Sequence, residues 1–496
     1  MRFIKETRSI CPECLKVLDA KIFEEDGVVY IEKKCPEHGS FRDVYWSDYE
    51  QYMRVLKFEY VGDGLENPRT ERNRGCPYDC GICPEHKSHT VLAIIDVTNR
   101  CNLRCPVCFA TAGTTGYVYE PSKDEVRSML VNLRSNLPVP ATALQFSGGE
   151  PTIRKDLPEL IRMAKELGFD HVEVNTNGIR LAQSVEYCRT LKEAGTSTIY
   201  LQFDGVTPDV YKFTRGVDLV DVKRRVIENC REAGMDSVVL VCTLIKGVND
   251  HQLGDIIRFA VENFDVVRCV NVQPISLCGR IPEVERMKMR ITIPDFMRLV
   301  EEQTDGKIKV SDFYPVPTVV PVSKAIGAFK GKRYVEFTAH PHCGMATYIL
   351  VEDGEIVPIT RYANVEGFIK SMEGAYRDFE AGRKARAKMR LLGSLRHIKF
   401  SMLRKYIGPV LRHGSYKALG DLHRKMLMIS AMHFMDPYNF DLERVQRCVI
   451  HYAVPDGRII PFCTMNSIHR EKIEKEFGVP VEEWRKRRKA EIDEVA

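Results

Sequence analysis

The sequence predicts an α/β chain built on a partial (β/α)6 barrel, with a small metal-binding unit before it and a cysteine-containing unit after it. Three observations predict this. Strand-like and helix-like patterns alternate between residues 91 and 310, cysteines recur at metal-ligand spacing on both sides, and the polar motifs fall just after strands. Parallel α/β sheets bind ligands at their C-terminal strand ends, which is where those motifs stand.

Four regions follow one another. Residues 1–60 carry two knuckles, Cys11-Pro-Glu-Cys14 and Cys35-Pro-Glu-His38, and the short strand candidate Gly27–Ile31. Their spacing suits one tetrahedral ion held by Cys11, Cys14, Cys35 and His38, or with a fourth cysteine from elsewhere; zinc and a single rubredoxin-like iron fit equally. Residues 61–90 form a Gly/Pro/Cys-rich connector in which Cys76, Cys80 and Cys83 precede His86 and His89. These thiols either carry a cluster of their own or help complete the N-terminal site, because three idle exposed thiols are a reactivity liability.

Residues 91–310 hold strand runs at Val91–Ile95, Thr142–Phe146, Val172–Val174, Thr198–Gln202, Ser237–Val241 and Cys269–Gln273. Amphipathic patterns between them, such as Glu125–Ser135, Leu157–Leu167 and Leu219–Ala233, read as helices. Cys188, Cys230, Cys242 and Cys269 fall singly inside these segments and are expected as small core residues. Residues 311–496 are helical and basic first, then cysteine-containing again. There Cys343, Cys448 and Cys463 form a sparser set, and the stretch between the last two reads as a hairpin about Pro455-Asp-Gly-Arg458. Cys278, after the sixth strand, is a further candidate ligand.

Composition narrows the class. No run of eighteen apolar residues is present, and the N-terminus lacks the apolar stretch of a secretory signal, so a cytoplasmic protein is expected. In a reducing compartment, 17 cysteines point to metal ligation rather than disulfides. A net charge of +5 is too mild to imply nucleic acid. Between Arg383 and Lys425, however, thirteen Lys/Arg meet one acid, Asp421, with apolar residues interspersed. Such a segment suits anionic lipid headgroups, and equally an ordinary surface helix pair with a core face.

The first barrel strand ends in Asp96-Val-Thr-Asn-Arg100 and is followed by Cys101, Cys105, Cys108 and Phe109. Three thiolates on one tight loop ligate three irons of a [4Fe–4S] cube and leave the fourth open. Four cysteines are the usual complement of a cluster, and structural zinc wants four closed ligands. A place reserved for a non-protein ligand follows.

This loop resembles the signature of the radical S-adenosylmethionine (SAM) superfamily, whose barrel is of the TIM type and whose open iron chelates the amino and carboxylate groups of SAM. The resemblance implies one-electron cleavage of SAM to a 5′-deoxyadenosyl radical that abstracts hydrogen from an unreactive carbon. Ser147-Gly148-Gly149-Glu150-Pro151 resembles the superfamily's GGEP motif, which holds the methionine amino group; the glycines let backbone approach a ligand. Asn175 and Asn177 after the third strand, and Gln202 with Asp204 after the fourth, offer polar groups for ribose and carboxylate. Arg215 offers the SAM carboxylate a bidentate partner.

Along nearly its whole length, through CPEHG, GCPYDCGICPEH, TNRCNLRCPVCF, SGGEP, QPIS, HPHCG and PDGRIIPFC, the chain is similar to the archaeal radical SAM tetraether lipid synthases. That resemblance implies coupling of terminal methyl carbons of archaeal diether phospholipid chains, peripheral contact with the inner membrane surface, a low-potential electron donor and no nucleic acid. It also implies a C-terminal auxiliary-cluster domain. Two auxiliary [4Fe–4S] clusters and one mononuclear ion need twelve ligands. Cys11, Cys14, Cys35, Cys76, Cys80, Cys83, Cys278, Cys343, Cys448 and Cys463 supply ten, so two ligands are not cysteine, His38 being one candidate. The competing enzyme reading is a radical SAM maturase or methylating enzyme acting on a peptide, pterin or nucleotide. An electron-transfer or metal-sensing protein is the alternative outside enzymes.

Overall fold

Charged and apolar residues alternate near the N-terminus, and the chain folds there into four antiparallel strands, β1 (Arg2–Ile10), β2 (Val17–Glu25), β3 (Val28–Cys35) and β4 (Gly39–Trp46), in that spatial order. The computed structural model describes residues 1–279, 286–352, 354–402 and 425–486. In such a meander the first and third turns lie at one end, which brings Cys11–Cys14 to Cys35–His38. Of this sheet the sequence shows only the start of β3. The exposed faces of β1 and β2 carry Glu6, Arg8, Asp19 and Lys21, which dilute the apolar signal of a strand. Helix α1 (Tyr49–Val55) follows, its first turn capped by Asp48, which accepts from Gln51 N.

The barrel strands are β5 (Leu92–Thr98), β7 (Ala143–Gly148), β8 (His171–Thr176), β9 (Thr198–Gln202), β10 (Val238–Leu244) and β11 (Val267–Pro274), parallel neighbours in that order. The two-residue β6 (Tyr117–Val118) lies outside the barrel. Each expected strand run is present, because strands covered on both faces read as continuous apolar stretches. Helices α2 (Lys123–Arg134), α3 (Leu157–Glu166), α4 (Ile179–Gln183), α5 (Val185–Ala194), α6 (Pro208–Arg215), α7 (Val220–Glu232) and α8 (Leu253–Glu262) pack outside. Helix α2 starts before its apolar pattern does, because Ser122 and Glu125 form a capping box. Its buried Val126, Met129, Leu130 and Leu133 form one stripe against the sheet.

C-terminal strands lengthen the barrel at both edges. β13 (Gly344–Glu352) pairs antiparallel with β12 (Tyr314–Pro315), β14 (Glu355–Pro358) and β15 (Met426–Met432), and β15 lies parallel to β11. At the opposite edge β16 (Ile450–Ala453) lies parallel to β5 and turns back into β17 (Ile459–Pro461), the expected hairpin. Residues 433–449 thus connect one edge of the barrel to the other, and Phe434 and Met435 face its lumen.

The N-terminal sheet docks on this connection. Lys33 Nζ donates to Pro437 O at 2.6 Å and Tyr438 O at 3.0 Å, and Tyr45 Oη donates to Asp441 at 2.7 Å. Arg290 joins the same region from the segment after β11. It pairs with Asp43 of β4 at 2.9 Å and with Asp436 at 2.7 Å, all three side chains being fully buried.

The basic segment is only partly visible as a surface. Arg383, Arg386 and Arg390 lie 2.9, 3.4 and 2.7 Å from the carboxylate of Asp378, so their charge is spent within the chain. Residues 403–424, on which much of that reading falls, lie outside the described residues. No helix among the described residues is long and apolar enough to cross a membrane.

Candidate active site and metal centres

Strand β5 delivers the three-cysteine loop to the barrel mouth, where Cys101, Cys105 and Cys108 line a cavity of about 190 Å³. Burial pushes the Cys101 thiol up to about 12 and raises Cys105, with Arg215 opposing the latter. Without metal these thiols hold their protons, and metal binding releases them. The three sulfurs do not all lie within 4.8 Å of one another. Thiolates on one tetrahedral zinc stand about 3.8 Å apart, so this set is too wide for a single ion and fits a cluster.

Two glycines seat the loop. A Cβ at Gly148 (φ +122°) would stand 2.2 Å from Thr98 O, and one at Gly149 would stand 2.2 Å from Arg100 O. The Gly149 and Glu150 amides donate to those same carbonyls at 2.7 and 2.9 Å. Here the backbone approached most closely is the strand leading into the cysteines, so the chain itself demands the glycines. Glu150, buried, accepts from Thr152 and Thr176 through Oε1 and from Asn177 N at 2.7 Å through Oε2. Its carboxylate therefore ties the ends of β7 and β8 together.

The other strand ends carry the expected polar groups. Asn175 donates to Ser147 Oγ at 3.1 Å, and Asn177 donates to Asn102 Oδ1 on the cysteine loop at 2.7 Å. Gln202 accepts from Lys223 Nζ at 2.9 Å, while its Nε2 is buried without a hydrogen-bond partner. Arg215 reaches the cavity already paired bidentately with Asp204, at 2.6 and 2.9 Å. Asp204 also accepts from Thr214 Oγ and Thr243 N. Gly148, Gly149, Glu150, Asn175, Asn177, Gln202 and Arg215 thus share one cavity wall, and Asp204 stands behind it.

Two features escaped the sequence reading. Lys223 is buried on α7, and burial pulls its ammonium down to about 7, against the attraction of Asp204. Its signal was available: Lys223, Val226, Ile227 and Cys230 occupy one helical face. The second feature is the aromatic side of the lumen. Phe434 and Phe462 stack with ring centres 3.8 Å apart, and Phe109 and Tyr452 lie 5.9 and 5.4 Å from Phe462. Behind them Arg470 pairs with Asp96 at 2.6 Å and Glu474 at 2.9 Å. Phe434, Tyr452 and Phe462 come from far along the chain and look like ordinary core in the sequence.

The N-terminal knuckles form a compact tetrahedral set. Cys14 Sγ and Cys35 Sγ are 3.9 Å apart, and His38 Nδ1 lies 3.7 Å from Cys11 Sγ and 3.4 Å from Cys35 Sγ. Four ligands around one zinc-sized ion have these separations. Burial raises the Cys35 thiol, but hydrogen bonds from His38 and the backbone outweigh it and hold the thiol at about 6.

The remaining cysteines group into two wider sets. Cys76, Cys80 and Cys83 are buried around a small cavity with Glu85 and His86. Burial raises Cys80 to about 12, with Cys83 and Cys448 adding to it, and Cys463 is raised by burial, then by Cys448 and Cys343. The two sets therefore adjoin each other at Cys80 and Cys448. Neither has its three sulfurs within 4.8 Å of one another. Cys278 stands apart, its sulfur 3.6 Å from Ser276 Oγ and 3.5 Å from Ser467 Oγ. Cys188, Cys230, Cys242 and Cys269 are buried in the barrel layers.

Comparison with known proteins assigns the chemistry. Residues 95–260 match the radical SAM superfamily, and residues 3–47 match the HMPTM N-terminal zinc ribbon domain. The protein is a radical SAM enzyme, with SAM and a [4Fe–4S] cluster as its cofactors. The chain is 51% identical to the 7,8-dihydro-6-hydroxymethylpterin dimethyltransferase of Methanocaldococcus jannaschii, over 98% of both chains. It is 29% identical to a probable GTP 3′,8-cyclase of Methanothermobacter thermautotrophicus, over 40% of this chain and 62% of that one. Among solved structures, Streptococcus suis SuiB bound to SAM matches 44% of this chain and 48% of its own, at 20% identity and a TM-score of 0.34.

These findings overturn the lipid reading. The relative that matches end to end is a pterin dimethyltransferase, so the expected tetraether synthase identity, phospholipid substrate and membrane partner are withdrawn. The physical reason is that the SAM motifs and cysteine sets govern how a radical is started, not which carbon it meets. Three cations of the supposed headgroup site are also taken by Asp378. The chain belongs to the radical SAM family that includes the pterin dimethyltransferase of M. jannaschii.

Proposed function

We propose that this protein methylates a reduced pterin of the 7,8-dihydro-6-hydroxymethylpterin type. One observation carries the reading: identity of 51% that extends over 98% of both chains, so that substrate-facing parts outside the common barrel are included in the likeness. The lumen supports it. A flat heteroaromatic ring suits a lumen lined by the aromatic rings of Phe109, Phe434, Tyr452 and Phe462 together with polar Gln145, Tyr200 and Gln273.

When bound, the cluster and SAM supply a carbon-centred radical able to take hydrogen from an unactivated carbon. The chain's own residues prepare its surroundings. Cys101, Cys105 and Cys108, which line the lumen, would hold three irons of the cluster. Glu150 and the two glycines fix the loop against β7 and β8, and Arg215, neutralised by Asp204, lends hydrogen-bond donors without a net charge. Phe434 and Phe462 line the lumen with apolar surface, which disfavours water that would otherwise quench reactive intermediates. In the same reading Cys11, Cys14, Cys35 and His38 hold the ribbon ion. Cys76, Cys80 and Cys83, and separately Cys343, Cys448 and Cys463, hold two auxiliary clusters, with Cys278 outside both.

The test is anaerobic incubation of the iron-loaded protein with SAM, dithionite and 7,8-dihydro-6-hydroxymethylpterin, followed by mass spectrometry. Mono- and dimethylated pterin are expected. Consumption of SAM with the pterin returned unmodified refutes the proposal.

A further inference from the structure

We infer that Lys223 is a positioning residue of the SAM site, which it serves by fixing the amide of Gln202 so that Nε2 is presented to an acceptor oxygen of bound SAM. The geometry of the pair is specific. Lys223 Nζ lies 2.9 Å from Gln202 Oε1 and 2.6 Å from Asn177 O. An ammonium has donors only, so the oxygen of the Gln202 amide must face it and the amide nitrogen must face away.

That nitrogen is buried, makes no direct hydrogen bond among the described residues although the Asp204 carboxylate acts on the amide, and belongs to a side chain on the cavity wall. A buried donor left unpaired costs free energy, and a ligand that accepts from it recovers that cost on binding. Asp204 attracts the amide N–H and favours the same orientation, while Lys223 fixes the oxygen; without Lys223 the amide loses the partner that holds its carbonyl away from the ligand. The lysine also bridges the ends of two barrel strands, β8 through Asn177 and β9 through Gln202, which holds both at one distance from the cysteine loop.

The charged groups around Lys223 come from several elements. Asp204 follows β9, Arg215 ends α6, Glu150 follows β7 and Cys105 lies on the cluster loop. Asp204 is committed to Arg215 and Glu150 to Thr152, Thr176 and Asn177. The two described acceptors of Lys223 are therefore neutral carbonyl oxygens, and orientation of the amide is what its hydrogen bonds accomplish.

The test uses the iron-loaded full chain and measures SAM affinity by equilibrium binding, alongside the change SAM produces in the electron paramagnetic resonance of the reduced cluster. Lys223→Met and Gln202→Leu are each expected to weaken SAM binding about tenfold. The double variant is expected to be no weaker than Gln202→Leu alone, because both act through one hydrogen bond. Gln202→Glu keeps the contact to Lys223 but removes the N–H, and it should bind SAM as poorly as Gln202→Leu with full iron content. This variant decides the matter should Lys223→Met fail to fold. Additive losses in the double variant, or SAM binding by Gln202→Glu equal to that of the native protein, would overturn the inference. So would an unchanged SAM affinity accompanied by loss of affinity only for the pterin.

Discussion

At the scale of single residues, the site is built from groups whose first duty is to each other. Arg215 reads in the sequence as a partner for a ligand carboxylate, yet it arrives already joined to Asp204. Gly148 and Gly149 read as ligand-facing glycines, yet each is required by a carbonyl of the preceding strand. Gly149→Ala should therefore displace the cluster loop, costing about 1–3 kcal/mol by overpacking and lowering bound iron, as urea unfolding and iron assay will show. Removing a ligand is more drastic. Cys105→Ala is expected to reduce SAM cleavage more than about 100-fold, read as 5′-deoxyadenosine, since even the outer partners of metal ligands cost that much. The cysteine motif was legible because spacing alone encodes it. Lys223 was not, because a lysine within a helix is expected on the solvated face, and only its register with Val226 and Cys230 says otherwise.

At the scale of elements, the barrel strands were legible and their partners were not. Val91–Ile95 and Ser237–Val241 announce themselves as apolar runs, while β16 has only four residues and β15, though a seven-residue apolar run, lies far along the sequence from the strand it joins. The segment between those two strands depends on the N-terminal ribbon, through Lys33, Tyr45 and the buried triad Asp43–Arg290–Asp436. Arg290→Met leaves buried Asp436 without its cation and Asp43 with only the more distant Arg286 at 3.6 Å, and about 3–5 kcal/mol of stability should disappear in denaturant titration. Cys35→Ser, by weakening the ribbon ion, should speed hydrogen exchange across residues 433–449 more than across β8 and β9. Equal protection in both regions would show that the ribbon does not support the connection.

At the scale of the whole molecule, buried neutral histidines set the acid limit. Burial lowers His86, His89 and His469 from 6.5 to about 4. Below pH 6.5 the unfolded chain takes up protons that the folded chain refuses until about pH 4, so stability is full above 6.5 and falls through that window. Each histidine contributes a loss approaching about 1.4 kcal/mol per pH unit there. Unfolding followed from pH 7 to pH 4 should show net proton uptake by the unfolded state. The substrate was not legible in the sequence at this scale. Motifs that start a radical are shared across different substrates, and the aromatic lumen is assembled from Phe109, Phe434, Tyr452 and Phe462, which sequence order separates. The most direct measurement of the whole account is the rate of 5′-deoxyadenosine formation with and without the dihydropterin. Acceleration by the pterin, with methylated product rising in step, is the predicted result. An unchanged rate and no methylated pterin would contradict it.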